Sequence, residues 1–252
     1  MNGAESVAAL RGMKRAGRKI VAAVVYDCQM AQIADRAGVD IVSAGDSVGV
    51  TMWGHADEGE VTLDQMVLVC RAVRRGVARA LVSCDAPLAA LQHGTHAAVD
   101  AATRLVREGG ADLVKVDADA ASVDAVRAIA DTGISVWAQF SGRAEADASA
   151  TDGCVRLARE LERAGAALID FRHSGPVAGP QVVASVEVPV IGGLGGGPWL
   201  DGRVRSLAVA LGYPAASLDD AKDRYANIAA TARDAIAALC DDVRAARRLR
   251  GE

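Results

Sequence analysis

The sequence predicts a single (β/α)8 barrel, the TIM barrel fold, followed by C-terminal helices. The chain has 252 residues, which suits one α/β barrel of roughly 250 residues or two smaller domains. Short apolar segments alternate with longer amphipathic segments, and continuously apolar segments are typical of parallel strands covered on both faces. The composition, 51% hydrophobic but only 3% aromatic, predicts a core of aliphatic side chains.

Seven segments have the pattern of buried strands, and an eighth, weaker one lies near Leu207–Ala210. Eight strands joined by right-handed crossovers favour a closed barrel. An open doubly wound sheet is the alternative, but such sheets normally have a glycine-rich turn after the first strand. Here Tyr26-Asp27-Cys28 stands at that place. The seven predicted strands are Ile20–Tyr26, Asp40–Ala44, Ala80–Cys84, Leu113–Val116, Ile134–Gln139, Ala167–Phe171 and Val188–Ile191.

Amphipathic segments separate the strands, and glycines follow them as expected at helix C-termini. Related triplets, Gly38-Val39-Asp40, Gly110-Ala111-Asp112 and Gly165-Ala166-Ala167, stand where a helix ends and a strand begins. This recurrence indicates a repeated βα unit. The predicted helices are Gln29–Ala37, Thr62–Arg75, His96–Glu108, Ala121–Asp131 and Asp152–Ala164, with a C-terminal helical segment at 218–248 of a single domain, 1–252.

Composition and charge exclude several classes of protein. The net charge of -4 argues against a nucleic-acid partner, which would favour a basic domain. No uncharged apolar segment of about 18 residues is present, so we expect no membrane span, and the first nineteen residues lack the apolar segment of a secretory signal. Five scattered cysteines without a CxxC pair predict reduced, mostly buried thiols rather than a zinc site. We therefore expect a cytoplasmic protein that acts on a small molecule.

Three aspartates follow three consecutive predicted strands. These residues are Asp46, Asp85 and Asp117, and functional side chains of barrels gather at the carboxyl ends of strands. Three converging carboxylates would repel one another, and a divalent cation relieves that repulsion. Mg²⁺ is typically held by a few carboxylates, waters and substrate oxygens, and a 2-oxo acid offers two such oxygens beside Lys115. The competing interpretation is that each aspartate only caps a helix.

Glycines and histidines near the same ends have simpler interpretations. The glycine-rich segment 192–197 does not match the GxGxxG dinucleotide fingerprint, so we expect a close backbone approach at the barrel mouth. Three histidines lie in polar segments and are expected at the surface, whereas His173 follows the sixth strand and is a candidate site residue. The other three are His55, His93 and His96.

Several segments resemble the ketopantoate hydroxymethyltransferase family of the phosphoenolpyruvate mutase and isocitrate lyase superfamily. They are Tyr26-Asp27, ADRAGVDIVSAGDSVGVTMWGH, VTLDQMVLVCRAVRRG, REGGADLVKVD and VPVIGGLGGG. The resemblance spans residues 8 to 245. It implies a (β/α)8 barrel, Mg²⁺, a homo-oligomer, and transfer of a one-carbon unit from 5,10-methylenetetrahydrofolate to C3 of a branched 2-oxo acid.

The resemblance also implies roles for individual residues. Asp46 and Asp85 match the aspartates of the family's metal site, and Ser47 matches the serine that holds the substrate carboxylate. Lys115 and Tyr26 match residues on the substrate side. The family has Glu where this chain has Asp117 at the metal site, and His where this chain has Gln139, which can hydrogen-bond but not shuttle a proton at pH 7.

The largest departure is Arg172, which stands where the family has its glutamate general base. Arginine is effectively always protonated and cannot be that base. Three interpretations are open: His173 or Asp170 takes the proton, Arg172 binds an extra carboxylate of a different substrate, or the reaction differs, as in a retro-aldol cleavage.

The function hypotheses follow from these alternatives. The first is a Mg²⁺-dependent transferase acting on a 2-oxo acid, the second a carbon–carbon lyase, and the third a catalytically inactive barrel that binds a small acid. Because the chain has only eight aromatic residues, few candidates exist for stacking the pterin ring of a folate. A mouth lined by Asp, Lys, Arg, Ser and Gln suits a small polar anion better.

Overall fold

The structure, a computed structural model, describes residues 3–119, 121–142 and 148–251. Eight strands form a closed barrel in the order β1 to β8, which confirms the predicted (β/α)8 barrel. Neighbouring strands pair in parallel from β1 through β8. The strands are β1 (Ile20–Val25), β2 (Ile41–Ala44), β3 (Leu81–Asp85), β4 (Leu113–Asp117), β5 (Ser135–Ser141), β6 (Ala166–Arg172), β7 (Val190–Gly192) and β8 (Gly202–Ser206).

Helices connect the strands up to β7, the segment 193–201 between β7 and β8 contains no helix, and each predicted helix before residue 200 overlaps an observed one. The α-helices of the described residues are α1 (Gly3–Arg15), α2 (Cys28–Ala37), α3 (Leu63–Gly76), α4 (Leu88–Leu91), α5 (Thr95–Arg107), α6 (Val123–Asp131), α7 (Ala148–Arg163), α8 (Ala178–Ser185), α9 (Leu207–Ala210) and α10 (Ile228–Arg244). Short turns of other helix types lie at Gly49–Trp53, Glu58–Glu60 and Ala215–Leu218.

The prediction of the eighth strand was wrong. Leu207–Ala210 is the short helix α9, and β8 comes just before it, at Gly202–Ser206. In β8 only Gly202 and Val204 are buried, while Arg203 and Arg205 are exposed. This strand therefore lacks the continuously apolar pattern that identified the other seven.

The chain divides into two compact units, Met1–Val204 and Arg205–Glu252. The second unit contains α9, α10 and the short helix Ala215–Leu218. Within the predicted helical segment 218–248, the helix begins only at Ile228, where the Asn227 side chain accepts a hydrogen bond from the Ala230 N–H at 3.0 Å. The organisation of 1–252 as one domain stays a prediction.

Helix α1 closes the amino end of the barrel. Its residues Val7 and Leu10 belong to the same buried cluster as the inward-facing side chains at the strand starts, among them Ile20, Leu113 and Trp137. The Lys14 ammonium donates to three backbone carbonyls at 2.8–3.0 Å and pairs with Asp201 at 3.2 Å. A functional cavity must therefore open at the carboxyl end.

The aspartates of two recurring triplets join consecutive strands at this closed end. The Asp40 carboxylate accepts a hydrogen bond from the Val21 N–H at 2.9 Å. The Asp112 carboxylate accepts one from the Val82 N–H at 2.8 Å. Each aspartate thus binds the backbone of the preceding strand, which explains why the triplet recurs before strands.

Asp35 on α2 provides a first prediction. Its buried carboxylate accepts hydrogen bonds from the N–H groups of Ala78, Arg79 and Ala80 at 2.8–3.2 Å. Burial alone would raise the pKa of Asp35, but the three bonds outweigh burial and lower the pKa. Because Asp35→Ala leaves three backbone N–H groups without their acceptor, including that of the buried Ala80, we expect a loss of about 3 kcal/mol in the free energy of unfolding at pH 7.

The pH dependence of this loss has a defined sign. A carboxyl group with a lowered pKa stabilises the fold above its unfolded pKa of about 3.9, and that contribution disappears as the pH falls further. Urea unfolding at pH 7 should therefore show a larger difference between wild type and Asp35→Ala than unfolding below pH 4. The exposed Asp131→Ala is the control, and an equal loss in both variants would contradict the role of Asp35.

Two further expectations concern cysteines and membranes. All five cysteines are unpaired, as predicted, but only Cys70 and Cys84 are buried, whereas Cys28, Cys154 and Cys240 are half-buried. The expectation of mostly buried thiols was therefore wrong for three of them. Among the described residues, no helix combines the length and apolar character needed to cross a membrane.

Candidate functional site

A small polar cavity lies at the carboxyl ends of β2 to β5. It brings together five of the predicted site residues. They are Asp46, which follows β2, Asp85 and Asp117, which end β3 and β4, Lys115 of β4, and Gln139 of β5, with Ala86 completing the wall. The convergence of three aspartates expected from the strand ends is thus present in the structure.

Strand register explains why these side chains meet. Asp85 pairs with Lys115 between β3 and β4, and Asp117 pairs with Gln139 between β4 and β5. Side chains alternate between the two faces of a strand, so Lys115 and Asp117 share the inward face with Leu113 of the barrel core. The Gln139 side-chain amide donates a hydrogen bond to the exposed Asp117 carboxylate.

Asp46 and Asp85 form the buried part of the cavity. The Asp46 backbone N–H donates to the Asp85 carboxylate, and the two carboxyl groups are hydrogen-bonded to each other. Burial, followed by the negative charge of Asp85 and then of Glu58, raises the pKa of Asp46 to about 8. Burial also raises the pKa of Asp85, and the opposing charge of Lys115 does not reverse this. Without a cation, the pair therefore retains a proton at neutral pH.

The donor set fits a divalent cation. Carboxylate oxygens are the ligands that Mg²⁺ prefers, and Asp85 Oδ1 is buried without a hydrogen-bond partner. A cation would replace the retained proton and give this oxygen a partner. Within residues 3–119, 121–142 and 148–251, no three His, Cys, Asp or Glu side chains are already arranged as a metal centre. Asp46 and Asp85 are thus the better-placed ligands, while Asp117 binds Gln139.

The Gly45-Asp46-Ser47 turn places Ser47 beside this pair. A Cβ atom at Gly45 would lie 2.5 Å from Val24 Cγ1, 3.1 Å from Ser47 Oγ and 3.8 Å from Asp85 Oδ2, so only glycine fits. Ser47 Oγ hydrogen-bonds the hydroxyl of the buried Tyr26 at 3.0 Å. The two predicted substrate-binding hydroxyl groups therefore lie together at the ends of β1 and β2.

Lys115 is buried between acidic groups. Its Nζ lies 3.3 Å from Asp170 Oδ2, 3.9 Å from Asp85 Oδ2 and 5.2 Å from the ring centre of Trp137. Burial alone would lower the pKa of Lys115, but the negative charges of Asp85 and Asp170, with smaller contributions from the other two aspartates, raise it. Lys115 is therefore a fixed positive charge at the cavity wall.

Arg172 and His173 lie at the end of β6 with different surroundings. Arg172 shares the inward face of β6 with Leu168 and Asp170, and its buried Nε has no hydrogen-bond partner within 3–119, 121–142 and 148–251. His173 is exposed, has a left-handed backbone with φ of 51°, and donates its N–H to the Leu194 carbonyl at 2.7 Å. Neither residue lines the polar cavity.

The glycine segment 192–197 packs against this turn, as the sequence predicts. A Cβ at Gly192 would lie 2.5 Å from the Phe171 carbonyl oxygen, and one at Gly195 would lie 2.8 Å from His173 Cα. Arg203 of β8 binds the carbonyls of Gly192 and Gly193 at 2.8–2.9 Å. The glycines therefore allow a close backbone approach beside His173.

The sequence did not indicate two neighbours of the site, Trp137 and Glu58, nor the partly buried surroundings of His55. Trp137 precedes Gln139 by two residues on β5, so the alternation of strand faces was a usable signal for its inward position. Glu58 acts on Asp46 from the short helical turn Glu58–Glu60, which is too short for a periodic pattern to indicate it. His93 and His96 are exposed as expected, but His55 packs edge-on against Trp53 with a buried Nδ1.

The barrel and its acidic mouth define the class of this protein as a (β/α)8-barrel enzyme. Solved structures of the same fold include 2,3-dimethylmalate lyase, described as a PEP mutase/isocitrate lyase superfamily member, with a TM-score of 0.67 and 19% identity over 94% of this chain and 88% of that chain. Another is phosphonopyruvate hydrolase in complex with oxalate and Mg²⁺, with a TM-score of 0.62 and 14% identity over 94% and 87% of the two chains.

The sequence comparisons are more specific. The family model of ketopantoate hydroxymethyltransferase matches residues 5–247. The 3-methyl-2-oxobutanoate hydroxymethyltransferase of Cyanothece sp. is 34% identical over 93% of this chain and 94% of its own length. That of Salinibacter ruber is 34% identical over 92% of both chains. This chain therefore belongs to the ketopantoate hydroxymethyltransferase family, as its motifs indicated.

Proposed function

We propose that this protein is a Mg²⁺-dependent enzyme of the hydroxymethyltransferase type that adds a one-carbon unit to C3 of a 2-oxo acid. The observation that carries the proposal is the cavity in which the coupled carboxyls of Asp46 and Asp85 meet the ammonium of Lys115. In such a cavity the two carboxyl groups form a binding site for a cation, and the Lys115 ammonium provides a fixed positive charge for an anionic substrate. Its place at the strand ends is the functional end of this fold.

The proposed roles follow from these positions. Asp46 and Asp85 would hold the cation, with Asp117 nearby, and the cation would supply Lewis-acid chemistry there when bound. Ser47 and Tyr26, whose hydroxyls are hydrogen-bonded, bind the substrate carboxylate. Lys115 stabilises negative charge on the substrate, and Gln139 contributes a hydrogen bond from β5.

Arg172 indicates that the substrate differs from a simple branched 2-oxo acid. Its guanidinium is unable to accept a proton, but it binds carboxylates in bidentate geometry, and its Nε has no hydrogen-bond partner among the residues that the structure describes. We therefore propose a 2-oxo acid with a second anionic group. The neighbouring imidazole of His173 is the proposed acceptor of the C3 proton.

The remaining parts of the proposal come from the family. The one-carbon donor is 5,10-methylenetetrahydrofolate, the protein is a cytoplasmic homo-oligomer, and its partner is a small molecule rather than a nucleic acid or a membrane. Trp53, which is 40% exposed next to His55, is an aromatic candidate for contact with the donor.

A direct assay tests this function. The purified protein with Mg²⁺ is incubated with 3-methyl-2-oxobutanoate and with dicarboxylic 2-oxo acids, each with and without methylenetetrahydrofolate. Mass spectrometry should show the folate-dependent gain of one CH₂O unit, with a dicarboxylic substrate preferred, and chelation of Mg²⁺ should stop it. Folate-independent release of an aldehyde would instead indicate the lyase. Binding of 2-oxo acids by calorimetry without turnover would indicate an inactive binding barrel.

A further inference from the structure

Lys115 is shared by two carboxylates that differ in position. Asp85 lines the cavity, whereas Asp170 does not line it and is only 1% exposed. Asp170 is also the nearer partner, with an Nζ–Oδ2 distance of 3.3 Å against 3.9 Å for Asp85. The ammonium is thus held more closely by the carboxylate behind the cavity wall than by the carboxylate inside the cavity.

We propose that Asp170 is a positioning residue, a buried counter-charge that holds Lys115 in place and leaves Asp85 available to a cation. This inference rests on the proposed function, because it takes Asp85 as a cation ligand and Lys115 as a substrate contact. Asp170 itself does not line the cavity where the cation and the substrate would bind. It acts through the ammonium group of Lys115, the closest cation to its carboxylate, while the more distant charge of Arg172 also acts on Asp170.

The charge distribution around Lys115 supports this role. The groups that face it are the carboxylates of Asp46, Asp85, Asp117 and Asp170 and the ring of Trp137. A divalent cation bound by the first two carboxylates would repel a neighbouring ammonium and take away its partner in the cavity. When Asp46 and Asp85 bind a cation, Asp170 remains the ion-pair partner of Lys115.

The hydrogen bonding of Asp170 points the same way. Lys115 is the partner that the structure gives to its carboxylate, while Oδ1 is buried without one. A carboxylate kept for structural reasons typically accepts backbone N–H groups, as Asp35 does at the other end of the barrel. The buried Asp170 carboxylate forms an ion pair with Lys115 instead. Buried ion pairs are weak evidence for a contribution to stability, so this pair is better explained by the geometry that it fixes.

A double-mutant cycle tests the proposal, with Asp170→Asn, Lys115→Met and the two combined. The first readout is the ¹⁹F NMR signal of Trp137 in protein labelled with 5-fluorotryptophan, since the Lys115 ammonium lies 5.2 Å from that ring. The chain has three tryptophans, and Trp53→Phe and Trp199→Phe assign the other two signals. The second readout is calorimetric titration with Mg²⁺ alone.

Asp170→Asn should shift the Trp137 signal and weaken Mg²⁺ binding about 10- to 100-fold, the effect typical of residues behind a metal ligand. In the Lys115→Met background, adding Asp170→Asn should change neither readout. Asp170→Glu should restore part of the wild-type Mg²⁺ affinity, because it returns the charge. Ser83→Ala, which alters another buried inward-facing position, is the matched control and should leave both readouts unchanged.

The outcomes separate the two proposals. Asp170→Asn could change the Trp137 signal and the Mg²⁺ affinity equally in the wild-type and Lys115→Met backgrounds. That result would overturn the positioning role, because Asp170 would then act through packing and not through Lys115. If Asp170→Asn does not fold but the double variant does, the coupling is confirmed; if neither folds, the role is overturned. Absence of turnover with every 2-oxo acid would reject the proposed function, yet the Trp137 signal would still report the coupling.

Discussion

Replacing Asp85 with asparagine should abolish Mg²⁺ binding and turnover together. Asp85 carries the buried Oδ1 without a partner and accepts the hydrogen bond of the Asp46 backbone. Loss of a supporting residue costs about 10- to 100-fold in metal affinity, so loss of a direct ligand should exceed that range. Calorimetry with Mg²⁺ and the transfer assay measure the two effects on the same protein.

The control for this prediction is Asp124→Asn, an exposed aspartate on α6 away from the cavity. It should bind Mg²⁺ and turn over substrate as wild type does. Thermal unfolding of both variants separates loss of the site from loss of the fold. If Asp85→Asn kept both metal binding and turnover, the assignment of the metal site would be wrong.

Replacing Arg172 with glutamate should raise the rate of proton exchange at C3 of 3-methyl-2-oxobutanoate. The family resemblance implies a glutamate general base at this position, and Arg172 lies on the inward face of β6. A general base contributes about 10²- to 10⁴-fold, and the gain should lie within that range. Deuterium incorporation from D₂O, followed by NMR, measures the exchange without any folate.

Arg172→Gln is the matched variant, because it removes the guanidinium without adding a base. It should weaken binding of dicarboxylic 2-oxo acids less than Arg172→Glu does, because the glutamate also repels the substrate carboxylates, and it should leave exchange at the wild-type rate. The same exchange rate in the glutamate and glutamine variants would show that this position does not deliver a base to C3. Unchanged binding of dicarboxylates in both would reject the anion-binding role of Arg172.

The elements with a simple residue pattern were predictable. Seven strands are continuously apolar because both of their faces are covered, and the aspartates that end three of them follow from the direction of a parallel barrel. The convergence of Asp46, Asp85 and Asp117 therefore needed only strand ends and strand order. By contrast, β8 exposes two arginines, so its pattern resembles that of a loop.

The contacts inside the site depend on tertiary distances that no local pattern contains. Lys115 and Asp170 are 55 positions apart in the printed chain, and only the closure of the barrel brings them to 3.3 Å. The close backbone approach of Gly195 to His173 likewise joins segments that are separated in the sequence. Residue types at strand ends thus predict which side chains can belong to the site. The charge and the hydrogen-bond partners of each side chain depend on its burial in the folded barrel.

The closure of the amino end by α1 and Lys14 has an evolutionary consequence. The interactions that hold the barrel together, such as those of Asp35, Asp40 and Asp112, lie apart from the strand ends that carry the chemistry. Substitutions at those ends can therefore accumulate without loss of folding. Arg172 in place of a glutamate base is such a substitution, and the family's scaffold can in this way be inherited intact by a descendant with a new substrate.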